Sequence, residues 1–281
     1  MMQPIVTLTT DFGFGTYVAQ IKAVLLGYRR DIQLVDIAHD IPPQNISHAA
    51  TLLADVSTRF PSETYHLAVV DPGVGTNRKI VYVEAGLWRY ILPDNGLIGL
   101  VAAQWPVNRI IHLTQPQFWS STVSPTFHGR DIIAHAAGHL LQGTDPLELG
   151  ELLLEQDLVK LPLREARHEH DRIQGEIESV DHFGNLITNL SKANVQRLCE
   201  TQKTAIRDLL VKSGGIEISL VWDETYGNHA SGTIVAIFDS QDRLELAVVT
   251  GDAAQTLGLR VGNPIEVVCG NGRSVEKRGD T

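Results

Sequence analysis

Polar and apolar positions change period along the first half of the chain. Residues 4–10, 32–37 and 65–70 read as strands. Between them, residues 17–28 and 46–60 repeat their apolar positions at helical spacing, with Ala49, Leu52, Leu53 and Val56 marking one face of the second stretch. This alternation predicts a mostly parallel sheet flanked by helices, an α/β fold. Residues 80–84 and 88–92 read as a hairpin with Gly86 in its connection, Pro93-Asp94-Asn95-Gly96 as a tight turn, and residues 109–113 as a further strand. A helix-like stretch covers 132–141.

The pattern shifts after Leu153. Residues 160–172 contain Pro162 and a run of charged and histidine residues (Arg164, Glu165, Arg167, His168, Glu169, His170) and read as a linker. Beyond it, residues 173–180, 186–190, 216–222, 233–238 and 243–249 are short β runs, and only 192–199 and 253–257 look helical. A small β-barrel or sandwich is the expected outcome. The expected organisation is an N-terminal α/β domain over 1–160, a linker over 161–172, a C-terminal β-barrel domain over 173–270 and a polar tail over 271–281.

Composition narrows the function classes. With 43% hydrophobic and 20% charged residues the chain has the make-up of a soluble globular protein, and no apolar run nears the ~20 residues of a membrane span. A net charge of −10 without a basic cluster argues against nucleic acid as a partner. The start of the chain, Met-Met-Gln-Pro, lacks the basic and apolar regions of a secretion signal, and Cys199 and Cys269 form no CxxC, so a cytoplasmic location is expected.

Two segments carry chemistry. Asp71-Pro72-Gly73-Val74-Gly75-Thr76-Asn77-Arg78 follows the run Leu67-Ala68-Val69-Val70, and Thr126-Phe127-His128-Gly129-Arg130-Asp131 precedes the helix-like stretch. A carboxylate, a guanidinium and an imidazole in glycine-softened turns can handle a proton and a small anion. Ligands of alternating α/β sheets sit beyond the carboxyl ends of the strands, where Asp11, Asp36, Asp40 and Asp71 fall. His128, just before a helix N-terminus, is expected to stay neutral. His135 and His139 share helical spacing but lack the glutamate of an HExxH motif and read as packing residues. In the second half, Asp181-His182-Phe183-Gly184-Asn185 offers a carboxylate, an aromatic face and an amide that suit an ammonium group and a heterocycle, or else a hairpin turn.

Six motifs in combination resemble the S-adenosyl-L-methionine hydroxide adenosyltransferases, the S-adenosylmethionine hydrolases that share a fold with fluorinases and chlorinases. They are Thr10-Asp11-Phe12-Gly13, His39-Asp40-Ile41-Pro42-Pro43-Gln44, Val70-Asp71-Pro72-Gly73-Val74-Gly75, Pro93-Asp94-Asn95-Gly96, Thr126-Phe127-His128-Gly129-Arg130-Asp131 and Phe183-Gly184-Asn185. The resemblance spans about Ile5 to Val268. It implies a homotrimer with ligand sites between the N-terminal domain of one subunit and the C-terminal domain of its neighbour. It assigns Asp71, Arg78 and His128 to a triad that holds and activates water. It assigns Asp11 to the ribose hydroxyls, Asp181 to the methionine ammonium, Phe183 and Asn185 to adenine, Ser240 and Gln241 to the methionine carboxylate, and Thr250 to adenine through its backbone. The chain departs from the family at Asp242-Arg243, where Gly-Tyr is common. The halide enzymes carry a tyrosine in place of Asp71, and a carboxylate there would repel a halide.

The implied reaction is hydrolysis of S-adenosyl-L-methionine to adenosine and L-methionine, by attack of water on the ribose C5′ in line with the leaving sulfur. No metal or other cofactor is expected, and the substrate is the only small molecule required. Two other classes remain at this point: a non-catalytic adenosine or S-adenosylmethionine sensor, and a metal-dependent phosphohydrolase built on Asp11, Asp40, Asp71 and His128.

Overall fold

A computed structural model of the chain describes residues 3–162 and 166–270. The chain divides into two units, Met1–Pro162 and Leu163–Thr281. The expected tail over 271–281 and residues 163–165 of the expected linker lie outside the described residues.

In the first unit, β1 (Ile5–Thr10), β2 (Gln33–Ala38), β3 (Tyr65–Val69), β4 (Ile80–Ala85), β5 (Trp88–Pro93), β6 (Val107–Leu113) and β7 (Gly150–Leu152) form one sheet. Their order is β2-β1-β3-β5-β4-β6-β7. The first four pair in parallel, and β4 and β7 run against their neighbours, so five strands share one direction. The helices are α1 (Thr16–Tyr28), α2 (Ile46–Ser57), α3 (Gly99–Gln104) and α4 (His135–Leu141).

Strand alternation explains the continuous apolar runs in the sequence. Leu67 and Val69 of β3 join a core with residues of α1 and α4, whereas Ala68 and Val70 join a second core with residues of α2 and α3. Both faces of the central strands are therefore covered, as a parallel sheet requires. Helix α2 starts at an Asn45 cap whose side chain accepts the His48 N–H and ends at Ser57, three residues earlier than its apolar periodicity predicts. The stretch 132–141 is not one α-helix: a π-helical turn over Gly129–Ala134 precedes α4. The pattern gave no signal for α3 or β7.

The second unit contains β8 (Arg167–His168), β9 (Arg172–Val180), β10 (Leu186–Ser191), β11 (Leu209–Ser213), β12 (Ile216–Ile218), β13 (Val221–Trp222), β14 (Ile234–Phe238), β15 (Arg243–Val248) and β16 (Pro264–Cys269), with α5 (Lys192–Gln202) and α6 (Ala253–Leu257). The sheet follows the path β12-β11-β16-β9-β10-β15-β14-β13, with β8 beside β9. It curls around one apolar core as a half-barrel. The run 216–222 splits into β12 and β13, which pair at opposite ends of this path.

Candidate functional site

The register of the parallel strands assembles one rim. Thr10 of β1 lies beside Val69 of β3, and Thr9 beside Ala38 of β2. Asp11, His39 and Asp71 therefore leave the sheet at the carboxyl ends of adjacent strands, where a switch in strand order opens a crevice. The first two loops lock together. Asp11 Oδ2 accepts the Gln44 N–H at 2.8 Å, and the Gly13 N–H donates to the His39 carbonyl at 2.7 Å. Thr10 Oγ1 and His39 Nδ1 are 2.8 Å apart. On the far side of that ring, Nε2 lies 3.1 Å from an Asp36 carboxylate oxygen, an ion-pair approach without hydrogen-bond geometry. Asp36 in turn accepts from Lys22 at 2.6 Å.

Beside this rim stand Asp71, Arg78 and His128. The loop from Asp71 to Arg78 folds on itself: the Val74 N–H donates to Asp71 O and the Thr76 N–H to Gly73 O. Gly75 is indispensable to it. Its φ is +79°, and a Cβ there would sit 2.5 Å from the Pro125 carbonyl oxygen, so the segment bearing His128 could not approach this closely. Arg78 grips Asp71 with a forked contact, Nε to both oxygens at 2.9 and 2.8 Å and Nη2 to Oδ2 at 2.5 Å. The carboxylate side chain is 5% exposed and the guanidinium 11%. The same Nη2 donates to His128 Nδ1 at 2.9 Å.

That last bond fixes the imidazole. A guanidinium only donates, so Nδ1 must accept, and the neutral ring carries its proton on Nε2. Burial, reinforced by the Arg78 charge, pulls the His128 pKa below its ordinary value against the opposing pull of Asp71 and Asp131. The ring is neutral as expected, from burial and a neighbouring cation. His128 itself caps the π-turn, a helix irregularity common at functional sites. Asp131, which has no separate role in the motif, anchors the turn. Its 3% exposed side chain accepts the Ser124 N–H at 2.8 Å and holds Arg130 Nε at 2.6 Å.

In the second unit, Asp181 organises its own loop. Oδ1 accepts the N–H groups of Phe183 and Asn185, both at 2.8 Å, and Oδ2 accepts the Asn185 amide at 2.9 Å. Gly184, at φ +84°, leaves no room for a Cβ beside the Asp252 carboxylate. Phe183 stands out at 72% exposure, with the His182 ring edge-on to it at 5.7 Å between centroids. Ser240 and Gln241 occupy the turn between β14 and β15, whose Asp239 Oδ1 accepts the Gln241 and Arg243 N–H groups. Asp242 takes φ +58° there, the left-handed region that glycine prefers and aspartate tolerates, so the turn forms without the family's glycine. Thr250 also has a positive φ, +55°, unusual for a β-branched residue, and its hydroxyl bonds Ser231. A pair the sequence reading missed is the buried Glu245 with Tyr226, whose hydroxyl donates at 2.5 Å. Burial, with Asp181 and Asp239 nearby, raises the Glu245 pKa.

His135 and His139 both reach the Tyr28 hydroxyl, at 2.8 and 3.2 Å; they pack, as read from the sequence. Among the described residues no group of three or more His, Cys, Asp or Glu is placed to hold a metal ion. Of the carboxylates a phosphohydrolase would use, Asp11 accepts from Gln44 and Asp71 from Arg78. No helix among the described residues is long and apolar enough to cross a membrane.

Comparison with known proteins places both units. The chain is 36% identical over 275 residues, 95% of its length and 100% of the relative's, to an (R)-S-adenosyl-L-methionine hydrolase of Thermus thermophilus. It is 25% identical to a fluorinase of Nocardia brasiliensis, covering 95% of this chain and 98% of that one. Its structure matches that of an uncharacterized conserved protein from Thermotoga maritima with a TM-score of 0.85 at 32% identity, over 94% of this chain and 99% of the other. Residues 6–150 match the SAM hydroxide adenosyltransferase N-terminal domain and residues 175–266 the C-terminal domain. With both domains present in order, the chain belongs to the SAM hydroxide adenosyltransferase family.

Proposed function

We propose that this protein hydrolyses S-adenosyl-L-methionine to adenosine and L-methionine. The observation that carries the reading is the half-buried Asp71–Arg78–His128 cluster at the carboxyl rim of a chain whose relatives at 31–36% identity bear the hydrolase name. The substrate's sulfonium leaves as a neutral thioether, so no acid is needed for the leaving group. The enzyme has to supply an activated, aligned nucleophile. Near-attack positioning is worth about 7–11 kcal/mol, and general-base help about 10²–10⁴ in rate.

The hydrogen-bond directions divide the labour. With Nδ1 occupied by Arg78 and Nε2 protonated, His128 donates to the nucleophilic oxygen and orients it. Asp71 is the acceptor of the cluster, since a carboxylate has about four lone-pair sites and Arg78 does not exhaust them. Water attacks the ribose C5′ opposite the departing sulfur in an SN2 displacement, its proton passes to Asp71, and Arg78 stabilises the hydroxide-like charge. A halide would meet the Asp71 carboxylate unfavourably, which supports water over chloride or fluoride. Asp11 is placed by Gln44 to take the ribose hydroxyls. Asp181, Phe183, Asn185, Ser240, Gln241 and Thr250 form the assigned amino-acid and adenine contacts. The reaction uses no metal or cofactor, the working form is a homotrimer, and the protein acts in the cytoplasm.

The test is single-turnover hydrolysis by Asp71→Asn and His128→Ala variants that still bind substrate. Asp71→Asn is expected to lose at least 10²-fold in the chemical step, and His128→Ala to lose less. Hydrolysis at the unmodified rate in Asp71→Asn would remove the carboxylate from the mechanism.

A further inference from the structure

At the opposite pole of the first sheet, the amino ends of β1 and β3 open into a cleft of about 320 Å³. Its lining includes an apolar part, with Ile5, Pro61 and Leu140, and a polar part, with Arg29, Arg89, Tyr65 and Glu63. The Arg89 guanidinium lies over the Tyr65 ring, 5.0 Å from its centroid, and Nη1 donates to the Tyr65 hydroxyl oxygen at 2.9 Å. Because arginine only donates, the tyrosine O–H is left to donate in turn. No acceptor for it occurs among the described residues. On the other side, Arg29 is oriented by its bond from Nη1 to the Leu141 carbonyl at 3.0 Å. The two arginines therefore flank a phenol whose hydrogen has no partner.

Of the carboxylates that neutralise these arginines, Asp31 forks onto Arg29 Nε and Nη2 at 2.8 and 3.1 Å, and Glu63 is held loosely. Asp31 and Glu63 pair with Arg29 and Arg89, but their side chains are 68% and 74% exposed, and the Glu63 contact is a single one at 3.2 Å. An exposed single contact such as Glu63 to Arg89 is worth little, so a multiply charged anion in the cleft can displace it, while Arg29, with five N–H groups and three of them bonded to Asp31 and Leu141, keeps two for the anion. Donors arriving from two guanidiniums and a phenol suit a tetrahedral dianion better than a planar carboxylate, which one arginine would satisfy. The apolar wall suits an organic group attached to that dianion.

We propose that this cleft is a second ligand site, for a phosphate group, carried by a phosphate monoester or as free phosphate, bound through Arg29, Arg89 and the Tyr65 hydroxyl. The site is separate from the candidate catalytic rim and stands whether or not the hydrolase reading holds. The test is titration calorimetry on the full chain, with inorganic phosphate and with adenosine 5′-monophosphate, each at constant ionic strength balanced with chloride. Saturable binding at one site per chain is expected, weakened at least tenfold in Arg29→Gln and in Arg89→Gln, and severalfold in Tyr65→Phe. Arg29→Gln changes a half-buried side chain at the end of a helix, so it keeps the experiment interpretable if Arg89→Gln unfolds; thermal unfolding of each variant checks this. Tighter binding of the monoester identifies an ester as the ligand, and equal binding identifies free phosphate. Absence of saturable binding by either probe, or binding that Arg29→Gln leaves unchanged, would overturn the proposal.

Discussion

Replacing Arg78 with methionine removes the partner of a buried carboxylate and keeps the length of the side chain. Asp71 is then left with a side chain only 5% exposed and without the forked contact that Arg78 provides. His128 Nδ1 loses its donor at the same time. Breaking a buried pair on one side costs about 3–5 kcal/mol, because the surviving charge keeps its desolvation penalty, whereas replacing both partners with apolar groups is often nearly neutral. At about 2–4 °C per kcal/mol for a domain of this size, Arg78→Met lowers the melting temperature by roughly 6–20 °C. The paired variant Asp71→Leu/Arg78→Met recovers most of that loss. Thermal unfolding followed by circular dichroism on both single variants and the double measures the coupling directly. Activity is expected to be absent in all three, so recovered stability without recovered turnover separates the structural from the catalytic role of the pair. The reasoning is refuted if Arg78→Met lies within about 1 kcal/mol of the parent, or if the two single losses simply add.

Three further outcomes are expected. The neutral form of His128 is the one that accepts from Arg78, and its pKa lies below the ordinary 6.5, so kcat/KM should hold down to pH 6.5 and fall only below it; an acid limb centred at pH 7 or above would contradict the assignment. His66 is fully buried between Thr7 and the Tyr90 ring, and burial depresses its pKa from 6.5 to about 3. The folded state resists protonation there, so stability is intact above pH 6.5 and is lost as pH falls toward about 3. That amounts to about 2 kcal/mol by pH 5, and denaturant titrations should show a flatter pH dependence in His66→Gln. Finally, Gly75→Ala pushes a methyl group into Pro125 O at a positive φ and should cost about 1–3 kcal/mol in denaturant unfolding together with most of the turnover.

The sequence disclosed those parts of the fold whose burial is one-sided over a full helix or two-sided over a full strand. β3 is buried throughout and reads as an apolar run broken only by His66, and α1 and α2 carry their periodicity along three turns. β11 and β16 were not visible. Each buries only two alternate residues, Leu209 with Val211 and Ile265 with Val267, and Lys212 and Glu266 cut the apolar runs short. The π-turn at 129–134 was equally hidden, because one extra residue in a helical turn leaves no mark on an apolar repeat of this length. At the candidate site, Asp71 and Arg78 share one loop and were legible as a pair. Their bond to His128 spans fifty positions, so its direction, and with it the tautomer, needed coordinates. The reverse holds for Asp181: the motif suggested a ligand contact or a hairpin turn, and the structure adds that its carboxylate braces the loop through three hydrogen bonds. Glu245 and Tyr226 lie in segments whose pattern carries no chemical signal, and only their meeting makes them noticeable.

Under the proposed mechanism the chain directs water, and no other nucleophile, to S-adenosyl-L-methionine. The most direct test is incubation of the purified, chelator-treated protein with this substrate, with and without added chloride, separating the products by chromatography. Equimolar adenosine and methionine, formed at a rate indifferent to chelator and chloride, is the predicted result. A chlorinated adenosine, or tight binding without turnover, would contradict it.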